Sequence, residues 1–507
     1  MLTRLIEYFL IGALNKTVGR SSTTDTEEPP TADFPTDHAV IGRLINKEGK
    51  VTAQEVALSP EARMRHLYLL GATGTGKTNL LLRLIESDIA NARAFCVIDL
   101  RGDLVDRIFL RLAANAPPEE WRERLLLVDL READHVVGFN PLLGEGDVYG
   151  RALHLLSVLK YQSDSWGVQL EETLRNCLLA LAETGWSLLE IEPLLTNASF
   201  RAAVMASVTD SRVRSFFERL EGLSSANKTT WTLAVLNKIT PLLSVPSMRL
   251  TFGQQRSFSF RHLMDNQPGM IVLISLAVDR LHDAARLAGG LLVSGFQNAI
   301  MSRADVPERD RVPAHLYVDE FESMASDRFE AIVAEGRRFG LGLTLSHQNI
   351  SQLSTGLRNV LRNNVHTQIY FQTGALDAAE LVKEIGGEDK EDIRSTLISQ
   401  GVGQAYLIRR GQPSVRVQAA HCPDPRVSAA KVAEVRAASL ATYARPRSEV
   451  EAEIAERERS YSAPTPSAAA APVYEIRHSK TATFKPGASK TPKPRKPKIT
   501  DLPEDET

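Results

Sequence analysis

The run Gly71-Ala72-Thr73-Gly74-Thr75-Gly76-Lys77-Thr78 places three glycines, a lysine and a hydroxyl within eight residues. It fits the pattern G-x-x-x-x-G-K-[ST] without exception. Glycines at this spacing let the backbone curl so that its N–H groups face phosphate oxygens. A helix opening at Lys77 adds the positive end of its dipole. Lys77 is then expected to reach the β- and γ-phosphates, and the Thr78 hydroxyl to ligate Mg²⁺. The flanks agree with this reading. An apolar run, "HLYLLG", leads in, and an apolar helix pattern, "NLLLRLI", leads out.

Hydrolysis of a bound nucleotide also needs carboxylates, one for the metal and one to polarise the attacking water. The run "AHLYVDEF" ends in Asp319-Glu320. We assign Asp319 to the metal and Glu320 to the base. The competing strand end is Asp99 in "FCVIDLRGDL", which follows the first helix directly. It has no adjacent second carboxylate, and Asp99 and Asp103 also suit turn chemistry. The order of strands in the sheet decides between the two sites. No Asn-Lys-x-Asp motif for guanine occurs, since "NKTT" and "NKIT" lack the acid. The nucleotide expected is ATP.

These groups need a scaffold. Short apolar runs at 66–71, 93–100 and 124–130 alternate with helix patterns, as in βα units of a parallel sheet buried on both faces. From about Glu145 to Pro241 the apolar spacing is i, i+3, i+4 throughout, which marks an all-helical insertion. Strand patterns return with "GMIVLISL", "AHLYVDEF", "LGLTLSH", "TQIYFQ" and "GQAYLIRR". The division expected is an amphipathic helix at 1–20 and a flexible linker at 21–38. A small β element and the first half of the core follow at 39–144. The insertion takes 145–262, the second half of the core 263–440, and a largely disordered tail 441–507. The fold class is α/β with an inserted all-α domain.

Bulk composition narrows the partners. Sixty Lys+Arg stand against 62 Asp+Glu, a net charge of -2. Such a chain does not coat nucleic acid through bulk charge, so any basic surface is local or built by assembly. Lys228 and the tail cluster "KTPKPRKPK" are the loose candidates. Cys96, Cys177 and Cys422 show no metal-ligand spacing, which favours a reducing compartment. No run approaches the roughly 20 apolar residues of a membrane span. A cytoplasmic protein is expected, with peripheral contact at the inner face of a membrane through the N-terminal helix as the variant.

One further stretch, "EGRRFGLGLTLSHQN", joins Arg337-Arg338 to an apolar strand ending in Ser346-His347-Gln348-Asn349. Together with "RMRHLYLLGATGTGKTNLL", "VIDLRGDL", "VGFNPLL", "HLYVDEFESM" and "NNVHTQIYFQ", it resembles the HerA/FtsK-type P-loop ATPases. The resemblance is closest to the conjugative coupling proteins of type IV secretion and runs from about Ile41 to Val427. It implies a RecA-like core, a hexameric ring and ATP-driven movement of DNA through the pore. It implies that Gln348 senses the γ-phosphate or attacking water. It also implies that Arg337, with Arg338 as fallback, completes a neighbour's site. The alternatives are a solvated helix face for the arginines and a strand-end cap for Gln348. The competing function is a nucleotide-gated receptor that recruits a relaxase-type or secretion-system protein through the helical insertion. A helicase of similar fold is a third reading.

Overall fold

The computed structural model describes residues 34–462 apart from 164, 267, 325–326 and 387–388. The expected helix at 1–20, the linker up to residue 33 and the tail from 463 lie outside the described residues. Strands β1 (Ala39–Ile45) and β2 (Val51–Leu58) form a hairpin. β3 (Leu67–Leu70) runs into the glycine loop and the helix Lys77–Ala90. β4 (Ala94–Asp99), the helix Asp103–Asn115 and β5 (Leu125–Asp129) follow. A two-residue strand, β6 (His135–Val136), precedes the helical block. After the block come β7 (Ile271–Ser275), β8 (Ala314–Val318) and β9 (Leu341–His347). β10 (Thr367–Tyr370), β11 (Gln404–Arg409) and β12 (Val415–Ala419) complete the large sheet. A last short strand, β13 (Arg445–Pro446), pairs with β6.

Eleven of these strands form one sheet in the order β2-β1-β12-β11-β10-β3-β9-β8-β4-β7-β5. The seven from β10 to β5 are parallel, and the other four form an antiparallel wing. The β1–β2 hairpin is therefore an extension of the main sheet through β12. Gly42 makes this join feasible, because a Cβ there would lie 2.1 Å from the Gln418 carbonyl oxygen.

The strands read as continuous apolar runs because both faces are covered. Leu67, Leu69, Phe95, Val97, Leu125 and Leu127 pack under the helices Lys77–Ala90, Asp103–Asn115 and Ala429–Tyr443. The alternate residues, such as Tyr68, Leu70, Cys96, Ile98 and Leu126, join a second cluster that continues into the helical block. This period-two division is what a strand dictates. The block comprises helices from Val148–Tyr161 to Phe260–Asp265 and interrupts one α/β unit, as its position between β6 and β7 requires. The helix Asp283–Ser302 lies between block and sheet. At its Gly289 a Cβ would meet Met324 Sδ at 2.5 Å, and at Gly290 it would meet Val158 at 2.8 Å.

The expected tail from 441 needs correction over its first part. Residues Arg447–Ser462 form a helix docked on the insertion. Val450 and Ile454, one turn apart, pack on Val136, Leu189 and Leu250. Arg457 forms a buried ion pair with Glu190 at 2.8 Å. The segment is so rich in Glu and Arg that its short apolar stripe is masked in composition.

A buried knot ties the first βα unit to β8. Arg63 donates both terminal nitrogens to Asp88 at 2.7 Å, and the Tyr317 hydroxyl donates to Asp88 at 2.5 Å. Arg63 and Asp88 are fully buried. Asp88→Ala leaves the guanidinium without its carboxylate, so it should lower unfolding free energy by about 3–5 kcal/mol. The joint replacement Arg63→Met, Asp88→Leu and Tyr317→Phe should cost less than that single change. Urea titration of the two variants checks the order.

Candidate functional site

The loop Gly71–Thr78 lies at the C-terminal edge of the parallel strands. Gly74 and Gly76 take φ of +78° and +117°, a conformation that suits only glycine without strain. The Gly71 N–H donates to the His347 carbonyl at 3.2 Å, and the Ala72 N–H to the Gln372 carbonyl at 2.8 Å. The Thr75 carbonyl accepts from the Gly403 N–H at 2.8 Å. The end of β9, the turn after β10 and the residue before β11 thus all hold the loop. By contrast, the N–H groups from Gly74 to Thr78 find no acceptor among the described residues. Unmatched donors converging on a helix N-terminus fit an anion of phosphate type. The Lys77 ammonium donates to the carbonyls of Gly71 at 2.5 Å and Ala72 at 2.9 Å. Burial lowers its pKa, and the nearby carboxylates of Asp319, Glu320 and Glu322 work against that shift. Thr78 opens the helix half-buried, beside this lysine.

Strand order separates the two acidic strand ends. β9 lies between β3 and β8, and β4 lies one strand further out. The turn after β8 therefore faces the glycine loop across a single strand. Asp319 is held there with its pKa raised, first by burial and then by the charge of Glu320, while Lys77 opposes. Asp99, in contrast, is committed to its own turn. Its carboxylate accepts the N–H groups of Arg101 at 3.0 Å and Val105 at 3.1 Å. Glu320 sits at φ +52°, a strained region for a side chain of this size. That kink aims its carboxylate along the edge, where Gln348 Nε2 donates to it at 2.7 Å. The other end of the same amide, Gln348 Oε1, accepts from the Thr73 hydroxyl at 3.1 Å. Gln348 hence bridges the glycine loop and the acidic turn from the end of the strand between them. Arg101 also approaches Glu320, at 3.6 Å.

Arg337 and Arg338 are not brought to this cluster. They stand exposed at the opposite end of β9, about 20 Å away at the usual rise of 3.3 Å per residue. Their charge is felt instead at the strand starts, where Arg337 helps burial depress the pKa of His66. Among the described residues neither guanidinium forms an ion pair. Lys228 pairs with Glu221 at 3.1 Å within the helical block.

Glu322 was not singled out by the sequence, although it lies two residues past Glu320 in "DEFES". It is largely buried beside the site. Burial raises its pKa to about 7, with the charges of Glu320 and Asp319 adding to the effect. Its Oε2 lies 3.9 Å from His347 Nε2. His347 is held neutral, its pKa lowered to about 3 by burial and by Lys77.

Residues 50–123 and 155–417 match the family model of the type IV secretion-system coupling protein DNA-binding domain. No curated protein sequence matches the chain. Among solved structures, the plasmid coupling protein TrwB in complex with ADP and Mg²⁺ is similar at a TM-score of 0.54 and 18% identity. That match covers 73% of this chain and 88% of the other. TrwB with a non-hydrolysable ATP analogue gives 0.53 at 18% identity, with the same coverage. VirB4 of Thermoanaerobacter pseudethanolicus gives 0.52 at 14% identity, covering 80% of this chain and 99% of its own. At these identities the structural likeness speaks for the fold.

Glu322 has a consequence for stability. Unfolded, its carboxyl titrates near 4.5, and folded near 7. The folded chain thus holds the extra proton between those values. The contribution of this group is complete below about pH 4.5 and is lost as pH rises through 7. Glu322→Gln should flatten that decline in a plot of Tm against pH from 5 to 8. A slope unchanged from the parent would refute the assignment.

Proposed function

The chain belongs to the family of type IV secretion-system coupling protein DNA-binding domains, and from that premise we propose that it is an ATP-driven DNA translocase working as a ring. The observation that carries the reading is the line Thr73–Gln348–Glu320, which joins a loop of unmatched N–H groups to a carboxylate at the end of β8. The N–H groups from Gly74 to Thr78, with Lys77, hold the phosphates of ATP. The Thr78 hydroxyl and Asp319 are the residues that would hold Mg²⁺. When bound, that ion neutralises phosphate charge. Glu320 takes the proton of the water that attacks the γ-phosphorus, and ADP leaves. Gln348 positions that water and feels whether the γ-phosphate is present, because loss of the phosphate changes what its amide can bond. The TrwB structures with ADP and Mg²⁺ and with an ATP analogue support the choice of ligand.

Arg337 cannot serve its own loop, since it stands at the far edge of the same sheet. A neighbouring copy that docks this edge against the glycine-loop edge would receive it. The glycine-loop edge presents apolar side chains suited to such a contact, with Leu376 89% and Val402 73% exposed. In a ring built this way, each copy receives a neighbour's Arg337 and lends its own. DNA is the expected cargo, and the helical block is the expected seat for a protein that delivers it.

Turnover of ATP should rise when DNA is added and vanish in Lys77→Ala. Turnover indifferent to both changes would sink the motor reading. Arg337→Ala should lower kcat by about 10³-fold or more, the scale of a trans-acting arginine, and leave the affinity for an ATP analogue within a few-fold of the parent. A large loss of affinity with kcat retained would place Arg337 outside the site.

A further inference from the structure

A cavity of about 470 Å³ lies away from the nucleotide site, between the helices Ile191–Thr196, Ser225–Leu243 and Arg447–Ser462. Its size is within the range of about 300–1,000 Å³ for ligand pockets. The floor is apolar, with Pro193, Leu236, Ile239 and Leu243. The rim carries Glu192 and Glu458. Glu458 is paired with Arg249, whereas Glu192 is exposed and forms no ion pair among the described residues. The cavity therefore favours an occupant with large apolar side chains followed by positive charge.

The last described helix ends on this rim. Tyr461 lines the cavity, its ring packs on Phe200 at 4.6 Å between centroids, and its carbonyl accepts from Asn197 Nδ2 at 2.5 Å. These contacts hold the chain at the cavity mouth where residues 463–507 begin. Within that stretch Val473, Tyr474 and Ile476 are the closest set of large apolar residues, and Arg477 and Lys480 follow. In an extended backbone Tyr474 and Ile476 share one face. The intervening 11 residues span up to about 40 Å, ample for a segment that starts at the mouth. Tethering gives such a segment an effective concentration on the order of millimolar.

We propose that residues 473–480 of the same chain seat in this cavity, with Tyr474 and Ile476 on its floor and Arg477 or Lys480 against Glu192. The helical block then carries an internal occupant, and a delivered protein that uses the same groove must displace it.

The test uses the full chain with Thr196→Cys and Glu475→Cys, which leaves Tyr474 and Ile476 in place. The native cysteines are all buried and free, so they do not compete. Mild oxidation should close a disulfide within one chain, at a rate independent of protein concentration. It should form about tenfold faster or more than in a Leu376→Cys, Glu475→Cys chain, as a local effective concentration requires. Equal rates in the two chains overturn the proposal. So does a disulfide that forms only between chains, which would give the groove to a second copy. Independently, Tyr474→Ser with Ile476→Ser should raise hydrogen exchange severalfold in the helix Ser225–Leu243 and leave β3 unchanged. Exchange that stays the same in both also overturns it. Neither readout measures ATP turnover, so a failure here is distinct from failure of the motor reading.

Discussion

The Arg63–Asp88–Tyr317 knot sets the geometry on which the rest of the site depends. Arg63 precedes β3, Asp88 lies in the last turn of the glycine-loop helix, and Tyr317 belongs to β8. The Coulomb gain of such a buried pair is largely offset by lost hydration. Its value is registration. Bidentate geometry leaves the guanidinium and carboxylate little freedom to slide. With the far end of the helix pinned to β8, its N-terminus is aimed at the turn that follows β8. The same strand thus carries both the anchor and, two residues later, Asp319.

From that anchor the parallel sheet does the rest. Strand ends of β3, β8 and β9 gather on one edge, and ligands in open α/β sheets bind outside such carboxyl ends. β9 is the strand in the middle, so its last residues touch both neighbours. The His347 carbonyl binds the first glycine of the loop, and the next residue, Gln348, bridges loop and acid. Two adjacent residues thereby report on both halves of the site. The strained backbone at Glu320 belongs to the same logic, since a relaxed turn would point that carboxylate away from the amide.

Much of this was legible from residue order because its physics is local. A phosphate loop needs glycines at set positions, and a strand buried on both faces needs an uninterrupted apolar run. The choice between Asp319 and Asp99 was not local. Both end apolar strands, and only the placement of β9 between β3 and β8 separates them. Glu322 was hidden for a similar reason, since its character comes from burial beside two other carboxylates. The helix Arg447–Ser462 is hidden in the sequence because two apolar side chains, Val450 and Ile454, carry its docking within a charged segment. The distance of Arg337 from its own loop follows from the length of β9 and from nothing in the arginine itself.

The glycine pair in the helix Asp283–Ser302 has a mechanical meaning. Gly289 admits the thioether of Met324, just past the acidic turn, and Gly290 admits Val158 of the helical block. In each case a neighbour's side chain meets the helix backbone directly, and a side chain at 289 or 290 would push the acidic turn or the block outward. The helix is thus a spacer one backbone thick, and the distance between the acidic turn and the block is set by what these two positions lack.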